Sequence, residues 1–167
     1  MESKKVPTLY DWIGGSDALN RLTSKFYAEK VLRDNLLRPL FDHMPADHPR
    51  HVADFIGEVL GGPTAYSDTR GGHAHMLSQH FGKNITQAQR RRWLELLLAT
   101  ADEIGIPDDP EFRSAFVAYL EWGTRLAVIN SQLPEGTATN AATPMPKWDW
   151  GVPGGPYIPP DSDTQKS

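Results

Sequence analysis

The sequence predicts an all-α fold, and three observations carry that reading. Apolar residues recur at intervals of three and four over several long stretches, the stretches end at glycine and proline, and no run alternates apolar with polar side chains as a half-buried strand does. The first predicted helix is capped by Ser16 or Asp17, carries Leu19, Leu22, Phe26 and Tyr27, and runs to about Leu32. A short helical piece over 35–41 follows, then a loop bracketed by Pro45 and Pro49. A second amphipathic helix begins at His48 and His51, carries Val52, Phe55, Ile56, Val59 and Leu60, and stops at Gly61-Gly62-Pro63. Residues 64–85, rich in glycine and histidine, read as loop with one helical turn over 76–80. Thr86 and Gln89 fit a capping box that opens a helix carrying Trp93, Leu96, Leu97, Ala101 and Ile104. A last helix opens near Asp108 or Asp109 with Pro110 in its first turn, and runs to about Gln132.

At 167 residues, 39% hydrophobic and 23% charged, the chain has the length and composition of one folded domain. A net charge of -4 gives no electrostatic reason to expect nucleic acid or an anionic membrane as partner. The absence of cysteine excludes disulfides, a thiolate nucleophile and iron–sulfur ligation, so any bound metal must be held by histidine and carboxylates. The N-terminus has no apolar run after its lysines, and no segment approaches the roughly 18 apolar residues of a membrane helix, which favours the cytoplasm. After Pro134 come six further prolines with glycine, threonine and serine, so 1–133 is expected to be the domain and 134–167 an extension without its own core. Trp148, Trp150 and Tyr157 are the exceptions in that extension: they are able to dock on the domain, bind a partner or stay exposed.

Six histidines invite a test for chemistry. His43, His73 and His75, on expected loops, read as surface or internally satisfied residues. His48 and His51 stand three apart at a helix start and can share a face, with Asp47 or Asp54 nearby, as a divalent metal site requires. His80 precedes a flexible Phe-Gly-Lys-Asn link and a strongly capped helix. A lone imidazole between apolar helices meets the needs of a haem axial ligand, and spacing alone does not separate that from a core histidine.

Several motifs in order carry a resemblance: SKFYAEK, the Gly61-Gly62-Pro63 stop followed by TAYSD, the run GGHAHMLSQHFGKNIT, and a tryptophan thirteen residues after His80. Together, from about Leu9 to Asn130, they resemble the second group of truncated haemoglobins. The resemblance implies a two-over-two helical sandwich around haem b, with His80 as the proximal iron ligand. It places Tyr27 where the family has a distal tyrosine that donates to bound oxygen. Phe41 falls where an aromatic wedges against the haem, with one residue inserted between it and Tyr27, and Trp93 where an indole N–H points into the distal pocket. The distal helix aligns on its Gly-Gly end and on Phe55, which puts His48 at the gateway to the sixth coordination position, as donor or as a second iron ligand, and Val52 one turn on. His51 is the competing assignment. Gln79 stands where relatives often carry an arginine that reaches a haem propionate, and Lys83 or Arg50 can replace that contact.

A dry distal pocket with two such donors would slow oxygen release by roughly two to four orders of magnitude, at about 1.5 to 3 kcal/mol for each charge-assisted bond. That suits gas sensing, or redox detoxification of nitric oxide or peroxide, better than oxygen delivery. The expected partners are dioxygen and other diatomic ligands such as carbon monoxide, nitric oxide and cyanide, with a reductase to return the iron to the ferrous state. Nucleic acid and membrane are not expected, and the chain would act as a monomer or a homodimer. Two alternatives stay open at this point. One is a non-haem helical protein that binds metal through His48, His51, His75 and carboxylates; the other is an interaction module whose partner site is the proline-rich tail.

Overall fold

A computed structural model describes residues 5–152 and 154–156, and all its regular elements are helical. They are α1 (Leu9–Ile13), α2 (Gly15–Lys25), α3 (Arg38–Phe41), α4 (His48–Val59), α5 (Ala65–Arg70), α6 (Gly72–Ser78), α7 (Gln87–Glu103) and α8 (Pro110–Ser131). The long helices pack as two layers. In one, α2 lies against α4; in the other, α7 lies against α8; α2 touches α7 and α1 touches α8 between the layers. The two-over-two sandwich is thus present, and a continuous core runs through it from Leu9, Leu19 and Leu22 to Phe112, Phe116 and Leu120.

The first helix departs from expectation at both ends. Ser16 and Asp17 do not cap it, because a separate helix, α1, precedes it, and both residues lie in the first turn of α2. Thr8 caps α1 in a capping box: its Oγ1 accepts from the Asp11 N–H at 3.0 Å while Asp11 Oδ2 accepts from the Thr8 N–H at 3.3 Å. Gly14, at φ +108°, then turns the chain in the left-handed region that glycine tolerates. At its other end α2 widens into a π turn over Phe26–Lys30 and tightens into a 3-10 turn over Val31–Arg33. Asp34 stops it: Oδ1 accepts from the Leu36 and Leu37 N–H groups, both at 3.1 Å, and Oδ2 accepts from Arg92 Nε at 2.7 Å.

Residues 64–85 form two short helices, α5 and α6, where a loop with a turn over 76–80 was expected. Helices this short show no two-turn apolar stripe, and part of their support is tertiary. Glu58, buried in α4, accepts from the Ser67 N–H at 2.8 Å and from the Ser67 hydroxyl, which ties α5 to α4. The later helices follow the sequence closely. The Thr86 and Gln89 capping box opens α7, and Asp109 caps α8, with Pro110 at its start.

The chain beyond Leu133 has no regular element among its described residues, yet it is docked. The Trp148 N–H donates to the Val59 carbonyl at 2.9 Å, and Trp150 Nε1 donates to the Pro7 carbonyl at 2.7 Å. Trp150 is buried in the main core beside Trp12 and Phe112. Tyr157 lies outside the described residues. No helix among the described residues is long and apolar enough to cross a membrane.

The α4 stop is held by close packing. The Gly62 N–H donates to the Gly57 carbonyl at 2.8 Å, and a Cβ on Gly62 would stand 2.5 Å from Cδ2 of Tyr10. Gly62→Ala therefore forces the Tyr10 ring out of place and is expected to destabilise the fold by about 1–3 kcal/mol. Thermal denaturation checks this; the expected fall in Tm is roughly 2–12 °C, and an unchanged Tm would show that the ring yields freely.

Candidate functional site

Four of the side chains singled out in the sequence converge between the two layers. The π turn places Tyr27 inward, fully buried, with its ring centroid 5.4 Å from Phe41 and 4.9 Å from His48. Such single π turns are frequent at functional sites because they re-aim a side chain within a continuous helix. Phe41 lies 5.8 Å from His48, and Trp93 reaches the group through Phe26, 5.2 Å away edge to face. Burial pushes the Tyr27 hydroxyl well above its ordinary pKa, and the approach of the Trp93 side chain offsets this in part. The phenol therefore keeps its proton and remains a donor.

The two histidines at the start of α4 point different ways. His51 turns outward, with Nε2 3.0 Å from Asp47 Oδ2, and meets Arg70, which itself lies 3.4 Å from Asp47. His48 turns inward, and its Nε2 is buried without a hydrogen-bond partner. Burial is the main reason its pKa falls to about 4; the neighbouring charges of His51 and His80 push the same way, and Asp47 opposes them. His48 is thus neutral near pH 7, with one nitrogen free to donate or to ligate.

His80 lies just beyond α6, in the turn that leads to Gly82. Its Nδ1 is buried and makes no hydrogen bond. Burial holds its pKa below the ordinary value, helped by Lys83 and His73; the Met76 carbonyl, one turn back, opposes the shift without closing a bond to Nδ1. Lys83 is exposed, and its N–H donates to the His80 carbonyl at 3.2 Å.

The remaining candidates sit apart from this group. Phe55 is buried, but its ring packs on Tyr66 at 5.0 Å and His73 at 6.1 Å. Val52 is half-buried against the core. A cavity of about 480 Å³ borders the group, lined among others by Ser24, Tyr27, Leu32, Phe41, Pro49 and Arg50. Among the described residues no three histidine, aspartate or glutamate side chains converge as metal ligands, and His75 lies beside Tyr66. The set His48, His51 and His75 does not assemble, because successive turns of α4 and the α6 segment aim them apart. Sequence reasoning missed the buried Glu58 and placed His73 on a loop; it is a buried residue of α6. The TAYSD motif held the serine that binds Glu58, but nothing in the sequence paired them.

A two-over-two helical sandwich with a buried histidine after a short helix, and a tyrosine, a phenylalanine and a second histidine clustered in its interior, defines a truncated-globin type of protein. Residues 8–122 match the family described as bacterial-like globin, and the chain belongs to that family. It is 31% identical over 105 residues to the group 1 truncated hemoglobin of Tetrahymena pyriformis, which covers 62% of this chain and 82% of the relative. It is 29% identical over 118 residues to the group 2 truncated hemoglobin YjbI of Bacillus subtilis (strain 168), which covers 71% and 86%. The crystal structure of a hemoglobin from Chloroflexus aurantiacus superposes with a TM-score of 0.64 at 33% identity, covering 72% of this chain and 97% of that one.

The family implies a haem cofactor, and the residues present fit one. Two imidazoles offer buried nitrogens that no protein group satisfies, and Tyr27, Phe41, Phe26 and Trp93 supply aromatic walls.

The buried neutral His48 also makes a prediction about stability. Its folded pKa of about 4 lies below the unfolded value of 6.5, so between these limits the unfolded chain binds more protons and stability falls as pH falls. Haem-free protein is expected to lose up to about 3 kcal/mol from this group between pH 6.5 and pH 4. His48→Leu should flatten that limb in denaturant melts; an unchanged slope would mean that His48 is solvated in solution.

Proposed function

We propose that the protein binds haem b through His80 and takes dioxygen and other diatomic ligands at a polar distal site formed by Tyr27, Trp93 and His48. The observation that carries this is the pair of buried nitrogens without partners, His48 Nε2, beside the Tyr27 ring, and His80 Nδ1, in a chain of globin fold. An unsatisfied buried polar group costs about 1–3 kcal/mol, so the inward Nε2 of His48 calls for a partner, and an Nδ1 of His80 that faces the Met76 backbone leaves its Nε2 for a metal. Haem iron supplies the coordination position at which a diatomic molecule binds. His80 would hold the iron, and the Met76 carbonyl, one turn back, would be the acceptor for its Nδ1–H.

On the distal side Tyr27 is the principal donor, since burial keeps its proton in place. The Trp93 indole can donate to the same ligand or to the tyrosine oxygen. His48, inward-facing and neutral, is the gateway residue, while His51 is occupied by Asp47 and Arg70 and is assigned no part. Phe41 would be an apolar neighbour of the macrocycle, with Val52 and Phe55 farther along α4, and Lys83 or Arg50 would be the cation for a propionate. Donors of this kind retain a ligand that carries partial negative charge, which favours sensing or redox detoxification of nitric oxide or peroxide over oxygen delivery.

Tyr27→Phe removes the donor and leaves the packing. Oxygen dissociation measured by stopped-flow is expected to quicken about 10- to 100-fold, the equivalent of one charge-assisted hydrogen bond of about 1.5–3 kcal/mol. An unchanged rate would remove Tyr27 from the distal site.

A further inference from the structure

The segment that carries His80 is weakly built in itself. α6 has seven residues and no side-chain cap, and glycines with positive φ flank it: Gly71 just before it, Gly72 as its first residue and Gly82 after it. A helix of that length does not hold its own shape in water, and glycine hinges leave it free to rotate. Its main helical neighbours are α5 and α8. Something must fix it if the imidazole is to keep one orientation.

The chain after α8 makes contact with this segment at both ends. Close to His80, the Gly82 N–H donates to the Leu133 carbonyl at 2.7 Å, next to the bond of the Asn84 N–H to the carbonyl of Ser131, the last residue of α8, at 3.0 Å. Glu135 lies over Gly82 so closely that an added Cβ there would meet it at 3.4 Å. At the other end of α6, the His73 ring is buried beside Trp122, 6.3 Å away; burial lowers its pKa, and the Pro144 backbone beside it opposes that shift in part. Farther on, the tail is anchored to both layers. Trp148 packs on Tyr119 and Trp122 at 5.7 and 5.8 Å and bonds the end of α4 through Val59, and Trp150 enters the core beneath α1.

We propose that residues 133–151 act as an intramolecular strap that positions the His80 segment, held at one end by Gly82 and at the other by Trp148 and Trp150, with His73 clamped between. The family match ends at residue 122 and assigns this stretch nothing. His73 and Trp150 are positioning residues: neither belongs to the distal group, and each acts on the site through α6. The proposal rests on the haem reading only in naming His80 as the group that benefits.

The test uses the full-length protein as purified, with Trp150→Ala and with Leu22→Ala as a control that removes core volume in α2 away from the strap. Amide hydrogen exchange over 72–85 is expected to quicken at least about tenfold in Trp150→Ala relative to Leu22→Ala at matched global stability, and the iron–histidine stretching frequency of the ferrous protein should shift in Trp150→Ala alone. Exchange that rises only over 134–152, with 72–85 unchanged, would overturn the strap. If Trp150→Ala does not fold, Trp150→Phe keeps the ring and loses the bond to Pro7; it is expected to move the same amides in the same direction, and no change there would count against the proposal. A protein that takes up no haemin would refute the haem reading, while the exchange pattern would still decide the strap.

Discussion

Two imidazole nitrogens buried without protein partners, Nε2 of His48 and Nδ1 of His80, are the constraint on which the other features depend. Leaving such groups unsatisfied costs about 1–3 kcal/mol each, and the surrounding helices must supply that in packing. The supply is visible in the core. Tyr27, Phe26, Phe112 and Phe116 are fully buried, and α4, which carries His48, and α2, which leads into the π turn of Tyr27, form the most extensive helix pair. The same burial that makes the site costly keeps both histidines neutral and the tyrosine protonated, so each group is in the state that a ligand site requires.

Two devices aim the site rather than stabilise it. The π turn at Phe26–Lys30 shifts the register of the helix that follows α2 and directs Tyr27 inward. The bond network of Asp47, His51 and Arg70 holds the outer face of α4, which leaves His48 as the inward residue. Glu58 and Ser67 fix the far end of the same helix. Helix α4 is thus clamped at both ends, while the His80 segment, between its glycines, depends on contacts from elsewhere in the chain.

Much of this was legible in the sequence where the signals are local and long. The capping box at Thr86, the proline at the start of α8 and the Gly61-Gly62 stop each act within one helical turn, and the periodic stripes of α4, α7 and α8 extend over several. The short elements were not legible. α5 and α6 have no full stripe, and α1 was hidden because Thr8 and Asp11 were passed over as a cap. The choice between His48 and His51 depends on helix phase, which a three-residue spacing does not fix. The docking of Trp148 and Trp150 depends on partners more than eighty residues away along the chain, Val59 and Pro7. The residue types of the site, tyrosine, phenylalanine, histidine and tryptophan, were readable from their order; their convergence was expected from the resemblance and not from spacing.

The most direct measurement is a haemin titration of the full-length protein and of His80→Ala, followed by absorption spectra of the oxidised, reduced and carbon monoxide forms. Binding through His80 predicts uptake of one haemin per chain with a Soret band that shifts on reduction and again with carbon monoxide, and loss or disruption of that binding in His80→Ala. A chain that takes up no haemin, or a variant whose proximal spectrum matches the parent, would contradict it.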